Sequence, residues 1–136
     1  MPDYTPFPVE LITPVGVAFS GDAQMLVVPG AAGELGILAN HAPLVSLLDP
    51  GVVRVTDEGG EVRRFAADDG FLQVRQNRAL VLVGEAVPAE EIKAAEARSR
   101  LEAAEEALER AAAGDGDVHA ARREAGFAGA LVKTVE

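Results

Sequence analysis

The strongest constraint on how this chain can fold is an abrupt change of character at Pro88. Before it, short β-type runs are cut by glycine, proline and Asx turn signals; after it, alanine and charged residues dominate until Val118. A single layer of structure cannot serve both patterns, so two units are expected: residues 1–87 and 88–136.

The first unit reads as closely spaced strands of a sandwich or barrel. The runs are Val9–Ile12, Val15–Phe19 ending at Ser20-Gly21, Gln24–Val28 ending at Pro29-Gly30, Leu35–Leu38 and Leu44–Leu48. Val52–Thr56 and Glu61–Ala66 flank Asp57-Glu58-Gly59-Gly60, a hairpin loop whose glycines allow positive φ. Phe71–Arg75 and Ala79–Val83 form a second hairpin across Gln76-Asn77-Arg78. Val53 and Val55 alternate with Arg54 and Thr56, which predicts one buried and one wet face. No helix-length pattern separates the strands, so parallel βαβ topology is not expected.

The second unit reads as a helical hairpin. Pro88 suits a first helical turn, and Glu90 and Glu91 suit the positive end of the helix dipole. A stripe of Ala94, Ala97, Leu101, Ala104, Leu108 and Ala111 follows, with Glu96–Arg100 and Glu106–Arg110 as i,i+4 pairs. Gly114-Asp115-Gly116-Asp117 breaks the helix, and Asp117 can cap the next one. The second stripe is Val118, Ala121, Ala125, Ala128 and Val132. Both seams bury little area. With Gly126 and Gly129 each costing about 1 kcal/mol of helix propensity, the second helix is expected to be the weakest element.

Composition narrows the chemistry. The net charge is −10, with five basic and eleven acidic residues up to Val87 and seven and eleven beyond it. Neither unit offers the basic face that phosphate backbones require, so nucleic acid is not an expected partner. Cysteine is absent, which removes disulfides, thiolate metal sites and a Cys nucleophile. No apolar run approaches the roughly 20 residues that span a bilayer, and Met1-Pro2-Asp3-Tyr4 has no signal-peptide character. A soluble, cytoplasmic product without direct bilayer insertion is expected.

Candidate catalytic groups are few. His41 and His119 fall in different units with no Ser or Asp nearby in sequence to suggest a triad. The Gly30–Gly36 stretch lacks the Lys-Ser/Thr of a phosphate-cradling loop and carries Glu34 in its centre. Asp115-Gly116-Asp117 is too short for a calcium loop, and Asp68-Asp69-Gly70 reads as a turn. No catalytic residue, metal or cofactor is expected; a binding or mechanical role is.

At this point the motifs match a known family. Thr13-Pro14, Phe19-Ser20-Gly21, Pro29 through Leu38, Asn40-His41-Ala42-Pro43-Leu44 and Pro50–Arg54 together resemble the epsilon subunit of F-type ATP synthases. Gly70–Val74 and Glu85-Ala86 fit the same pattern. The resemblance is strong as far as Val87. It implies an N-terminal antiparallel β-sandwich of about ten strands, a rotor-docking domain, followed by a C-terminal α-helical hairpin that regulates.

The resemblance also implies a place on the central stalk, peripheral to the cytoplasmic face of the cell membrane, with the gamma subunit and the c-ring as partners. Gly33, Glu34 and Leu35 would then meet the c-ring, and His41, Ala42 and Pro43 would lie at the gamma and c-ring contact. Some family members bind ATP through Ile/Leu-Asp, two residues, then Arg-Ala. Here Lys93 and Glu96 replace that Asp and Arg, so no nucleotide site is expected. The hairpin of the family can extend and block ATP hydrolysis, and Arg122, Arg123 and Lys133 are the residues that could then meet acidic catalytic alpha or beta subunits. A reading of another class stays open: a free-standing β-sandwich ligand-binding protein whose hairpin mediates self-association.

Overall fold

The computed structural model describes residues 4–136; Met1-Pro2-Asp3, part of the segment read for a signal peptide, lies outside the described residues. The strands are β1 (Phe7–Thr13), β2 (Gly16–Gly30), β3 (Gly33–Ile37), β4 (Leu44–Leu48), β5 (Gly51–Asp57), β6 (Val62–Ala67), β7 (Gly70–Arg75), β8 (Arg78–Val83) and β9 (Ala86–Pro88). A 3-10 turn (Ala89–Glu91) leads to α1 (Ala94–Ala112) and α2 (Val118–Thr134). The expected class holds: a β-sheet domain, then a helical hairpin.

The described residues hold nine strands, in keeping with the expected sandwich of about ten. The two runs expected to part at Ser20-Gly21 are one strand, β2, because the ladder to β1 continues through Val9↔Gly21 and Glu10↔Ser20. Turn preference loses there to paired backbone on both sides of the glycine. The bends appear instead as register shifts, at Leu11/Ile12 against β1 and at Ala23/Met25 against β5. These let β2 serve two layers. Its first half pairs with β1, which continues to β8, β7 and β4; its second half pairs with β3 and β5, which continues to β6 and β9. All these pairs are antiparallel except β1–β8, where Val9–Ile12 run parallel to Ala79–Leu82. Closing the first layer joins strands from opposite ends of the domain, so no crossover helix is needed.

Between the layers lies one aliphatic core. Phe7, Val9 and Leu11 of β1, Leu26 and Val28 of β2, Val53 and Val55 of β5, and Leu72 and Val81 of β7 and β8 are buried. The expected alternation in β5 is met. Each such side chain contributes about 1.5–3 kcal/mol when fully buried.

Pro88 is not a first helical residue. It is extended (φ −61°, ψ 145°), ends β9, and pairs with Phe65 of β6. Pairing of Ala86–Pro88 with β6 outcompetes helix entry, and a strand at the end of the order tolerates a residue without an N–H. Helix α1 therefore begins at Ala94, without a side-chain cap. The break at Gly114–Asp117 does form. Asp117 Oδ1 accepts from the N–H groups of His119 (2.9 Å) and Ala120 (3.2 Å).

Helix α2 departs most from expectation. Of its predicted stripe only Ala128 is buried, against a seam on α1 of Ala97, Ala104 and Ala111. A second face, with Phe127, Ala130, Leu131 and Thr134, is buried as well. Phe127, Ala130 and Leu131 pack on Ala66 of β6 and Ala97, with Val87 and Ile92 at the margin. The helix expected to be weakest thus lies between α1 and the sheet. Gly126 permits that approach, since a Cβ there would stand 3.1 Å from Pro50 Cγ. Neither expected pair within α1 forms among the described residues. Arg100 instead grips Glu124 of α2 at 2.6 Å.

Candidate docking surface

Glu34 sits in β3 rather than in a loop, opposite Pro29 of β2, just after the tight turn closed by Gly33 (φ 130°). The guanidinium of Arg54 donates to both of its carboxylate oxygens, at 3.2 and 3.4 Å, so its charge is matched by a residue two strands away. The adjoining Leu35 packs against the core. Glu34 is therefore a strand-anchored, ion-paired carboxylate rather than a free loop acid.

His41 lies at the other end of β3. Asn40 adopts φ 62°, the His41 N–H donates to the Leu38 carbonyl at 3.2 Å, and His41 Nδ1 lies 2.8 Å from the Ala42 carbonyl, where it donates when protonated. The Asn40 N–H donates to Asn77 Oδ1 at 2.6 Å, tying the His41-Ala42-Pro43 turn to the β7–β8 turn. Strand β4 runs between the two groups. Its Leu44 faces Val74 near the His41 end and its Leu48 faces Gly70 near the Glu34 end. The structure thus does not bring Glu34 and His41 together; Glu34 stands at the start of β3 and His41 beyond its end.

What lies between them was missed by motif reading. In β4, Leu44, Ser46 and Leu48 turn inward, which leaves Val45 (70% exposed) and Leu47 (71% exposed) facing out. Leu47 pairs with Phe71 of β7, itself exposed, and Leu38 is exposed nearby in sequence. The available signal was the alternation itself: with Leu44, Ser46 and Leu48 in one phase, the other phase puts two aliphatic side chains, Val45 and Leu47, on the outer face. The outer face of the other layer is covered by α2. One side of the sandwich is therefore covered by helix; the other is open, apolar at Val45, Leu47 and Phe71 and polar at Glu10, Gln73, Arg75 and Arg78.

The basic residues of α2 do not form one patch. Arg122 and Arg123 line a cleft beside the β4–β5 and β6–β7 turns, whereas Lys133 lies near β5, about 15 Å further along the helix. Lys93 and Glu96 pair with each other at 3.9 Å beside a small cleft that also touches Ile92, Arg100 and Leu131.

Asp68, on the β6–β7 turn, carries the clearest electrostatic signature. Burial raises its carboxyl above the ordinary 3.8 and the Asp69 carboxylate adds to this, while the Asp69 N–H and Arg123 pull the other way. An acid whose pKa rises on folding holds its proton more tightly in the folded state. Relative to Asp68→Asn, the parent chain should therefore gain stability as pH falls through the raised pKa toward 3.8, with no gain above that window. Urea midpoints of both proteins across this range provide the check, and parallel curves would exclude the effect.

Comparison with known proteins agrees with this geometry. Residues 6–89, which hold all nine strands, match the family described as ATP synthase, Delta/Epsilon chain, beta-sandwich domain. The ATP synthase epsilon chain of Pelotomaculum thermopropionicum is 43% identical over 100 residues, covering 74% of each chain. That of Paramagnetospirillum magneticum is 39% identical over 113 residues, 83% of this chain and 85% of the relative. Among solved structures, a chain in the mitochondrial ATP synthase of Euglena gracilis superposes with a TM-score of 0.76 at 23% identity, covering 96% of this chain and 87% of that one. The match in fold extends over sandwich and hairpin together. With its sandwich matched from first strand to last and its relatives covered over most of their length, the chain belongs to the ATP synthase delta/epsilon chain family.

Proposed function

We propose that this chain is a non-catalytic subunit of the central stalk of an F-type ATP synthase, coupling the gamma subunit and the c-ring to ATP synthesis. The ATP synthase epsilon chains that it resembles in sequence support this reading. The observation that carries the reading is the bare apolar face of β4 and β7, with Val45, Leu47 and Phe71 exposed while the opposite layer is covered by the chain's own helices. A contiguous apolar face on a small domain marks a protein–protein contact. The gamma subunit is its occupant. Gly33, Glu34 and Leu35 then meet the c-ring, and His41, Ala42 and Pro43 take part in the gamma and c-ring contact.

The subunit needs no side-chain chemistry for this. A closed sandwich transmits torque as a rigid body, and its turns supply the docking points. It is held peripherally at the cytoplasmic face of the membrane by its partners; no helix among the described residues is long and apolar enough to cross a bilayer. The hairpin regulates by extending toward the catalytic alpha and beta subunits, with Arg122, Arg123 and Lys133 as its contacts.

Affinity capture tests the assignment. A tagged copy expressed in its own cell should bring down gamma and the remaining ATPase subunits in stoichiometric amount. Recovery of the chain alone, or only bound to itself, would instead favour a free-standing ligand-binding protein.

A further inference from the structure

Three turns at one end of the sandwich carry four carboxylates. Asp49 lies in the β4–β5 turn, Asp68 and Asp69 in the β6–β7 turn, and Glu85 in the β8–β9 turn. Backbone hydrogen bonds lock these turns to the sandwich and to one another. The Asp49 N–H donates to the Pro29 carbonyl (2.9 Å), that of Asp68 to Glu85 (2.9 Å), and that of Gly84 to Asp69 (3.1 Å). The acids are therefore fixed in position, not spread over mobile loops.

Helix α2 presents its basic face to this end. His119, Arg122 and Arg123 stand at i, i+3 and i+4, on one side of the helix. With Asp49, Asp69 and Gly126 they line a single cleft of about 520 Å3. Arg123 is close enough to Asp68 to favour its ionised form, and Arg100 of α1 is held more firmly charged by Glu124 first and by Glu85 and Asp68 beyond it. Gly126, on the same face, is the point where α2 comes nearest to Pro50. Opposite charges thus meet across a wet gap, at the edge of the apolar contact between α2 and the sheet.

We propose that Asp49, Asp68 and Asp69 form an internal electrostatic catch for the Arg122–Arg123 face of α2, occupying in the closed hairpin the arginines that an external acidic partner would claim. This inference rests on the reading of the hairpin as the movable part of the subunit. The catch makes closing and outside binding mutually exclusive, since the same two guanidinium groups serve both. It also makes closing sensitive to ionic strength, because groups separated by a solvated gap interact over distances comparable with the Debye length, about 8–10 Å near physiological salt.

The full chain, which has no native cysteine, allows a direct test. Glu58→Cys in the sandwich and Glu109→Cys in α1 accept a dye pair for single-molecule energy transfer. Raising NaCl from about 0.02 M to about 0.5 M should increase the population with the hairpin undocked by roughly threefold to tenfold. Asp49→Asn/Asp68→Asn/Asp69→Asn should show the increased population already at low salt and should lose most of the salt response. Arg122→Gln/Arg123→Gln, which leaves the sandwich untouched, should behave alike and guards against misfolding of the triple variant. An undocked fraction and salt response equal to those of the parent chain in both variants would overturn the catch. Capture of gamma by the parent chain, read in parallel, tests the function proposed above; its absence would count against that function and not against the catch.

Discussion

Val45→Asp/Leu47→Asp should weaken capture of the gamma subunit by at least about a hundredfold while leaving the fold of the isolated chain intact. Both side chains stand on the outer face of β4, away from the core that Leu48 helps to fill. Buried in an interface, each would contribute roughly 1.5–3 kcal/mol by area alone. A carboxylate in the same place adds a desolvation cost, and about 1.4 kcal/mol is a factor of ten. In the isolated chain these positions face water, so the unfolding free energy should move by no more than about 0.5 kcal/mol for each. Val62→Asp, on β6 in the other layer and also exposed, serves as the control and should leave capture unchanged. The readout is the dissociation constant for gamma, with thermal unfolding alongside. An affinity within twofold of the parent value would remove the apolar face as the docking surface.

The parts of this structure that could be read in advance are those decided by neighbours in sequence. The Asp57–Gly60 hairpin, the phase of Val53 and Val55, and the Asp117 cap each depend on a few adjacent residues. Those misread were decided by residues far away. Gly21 has the local signature of a turn, yet β1 pairs straight through it. Pro88 has the signature of a helix start, yet a short ladder to β6 holds it extended. In α2, a single apolar stripe takes in the alanines and leaves out Phe127 and Leu131, because a helix clasped on two sides carries two stripes.

The candidate site divides along the same line. Motif resemblance drew attention to Glu34 and His41, but the partner of Glu34 is Arg54, twenty residues on, and the brace of the His41 turn is Asn77, thirty-seven residues from Asn40. Neither pairing has a local signal. The outward phase of Val45 and Leu47 was present in the alternation of β4. Its meaning depended on knowing that the hairpin covers the opposite layer and leaves this one bare.

Phe127→Ala should detach the hairpin from the sandwich. Phe127 is buried between Ala66 of the sheet and Ala97 of α1, with the Arg100 guanidinium 5.2 Å from its ring centre. Removing a buried phenyl group typically costs about 3–5 kcal/mol, and the lost cation–π contact about 0.5–1 kcal/mol more. What remains is Leu131, worth about 1.5–3 kcal/mol, and single methyl groups, from Ala130 on the same face and from Ala97, Ala104 and Ala111 against Ala128, each contributing about 0.8 kcal/mol. The Arg100–Glu124 pair is half exposed and adds at most about 1 kcal/mol. The loss is therefore a large share of what holds α2 down, with Leu131 the main apolar contact left on that face. Amide hydrogen exchange gives the test. Protection of residues 118–134 should fall by at least about a hundredfold while β1, β5 and β8 keep theirs, since Phe127 packs on Ala66 of β6, outside the core that the side chains of those three strands fill. Unchanged protection in α2 would mean that the electrostatic catch and the alanine seam suffice without the aromatic anchor. In the assembled enzyme the same substitution separates two roles: a released hairpin that reaches the catalytic subunits deepens inhibition of ATP hydrolysis, whereas one that only caps the sandwich leaves hydrolysis at the parent rate.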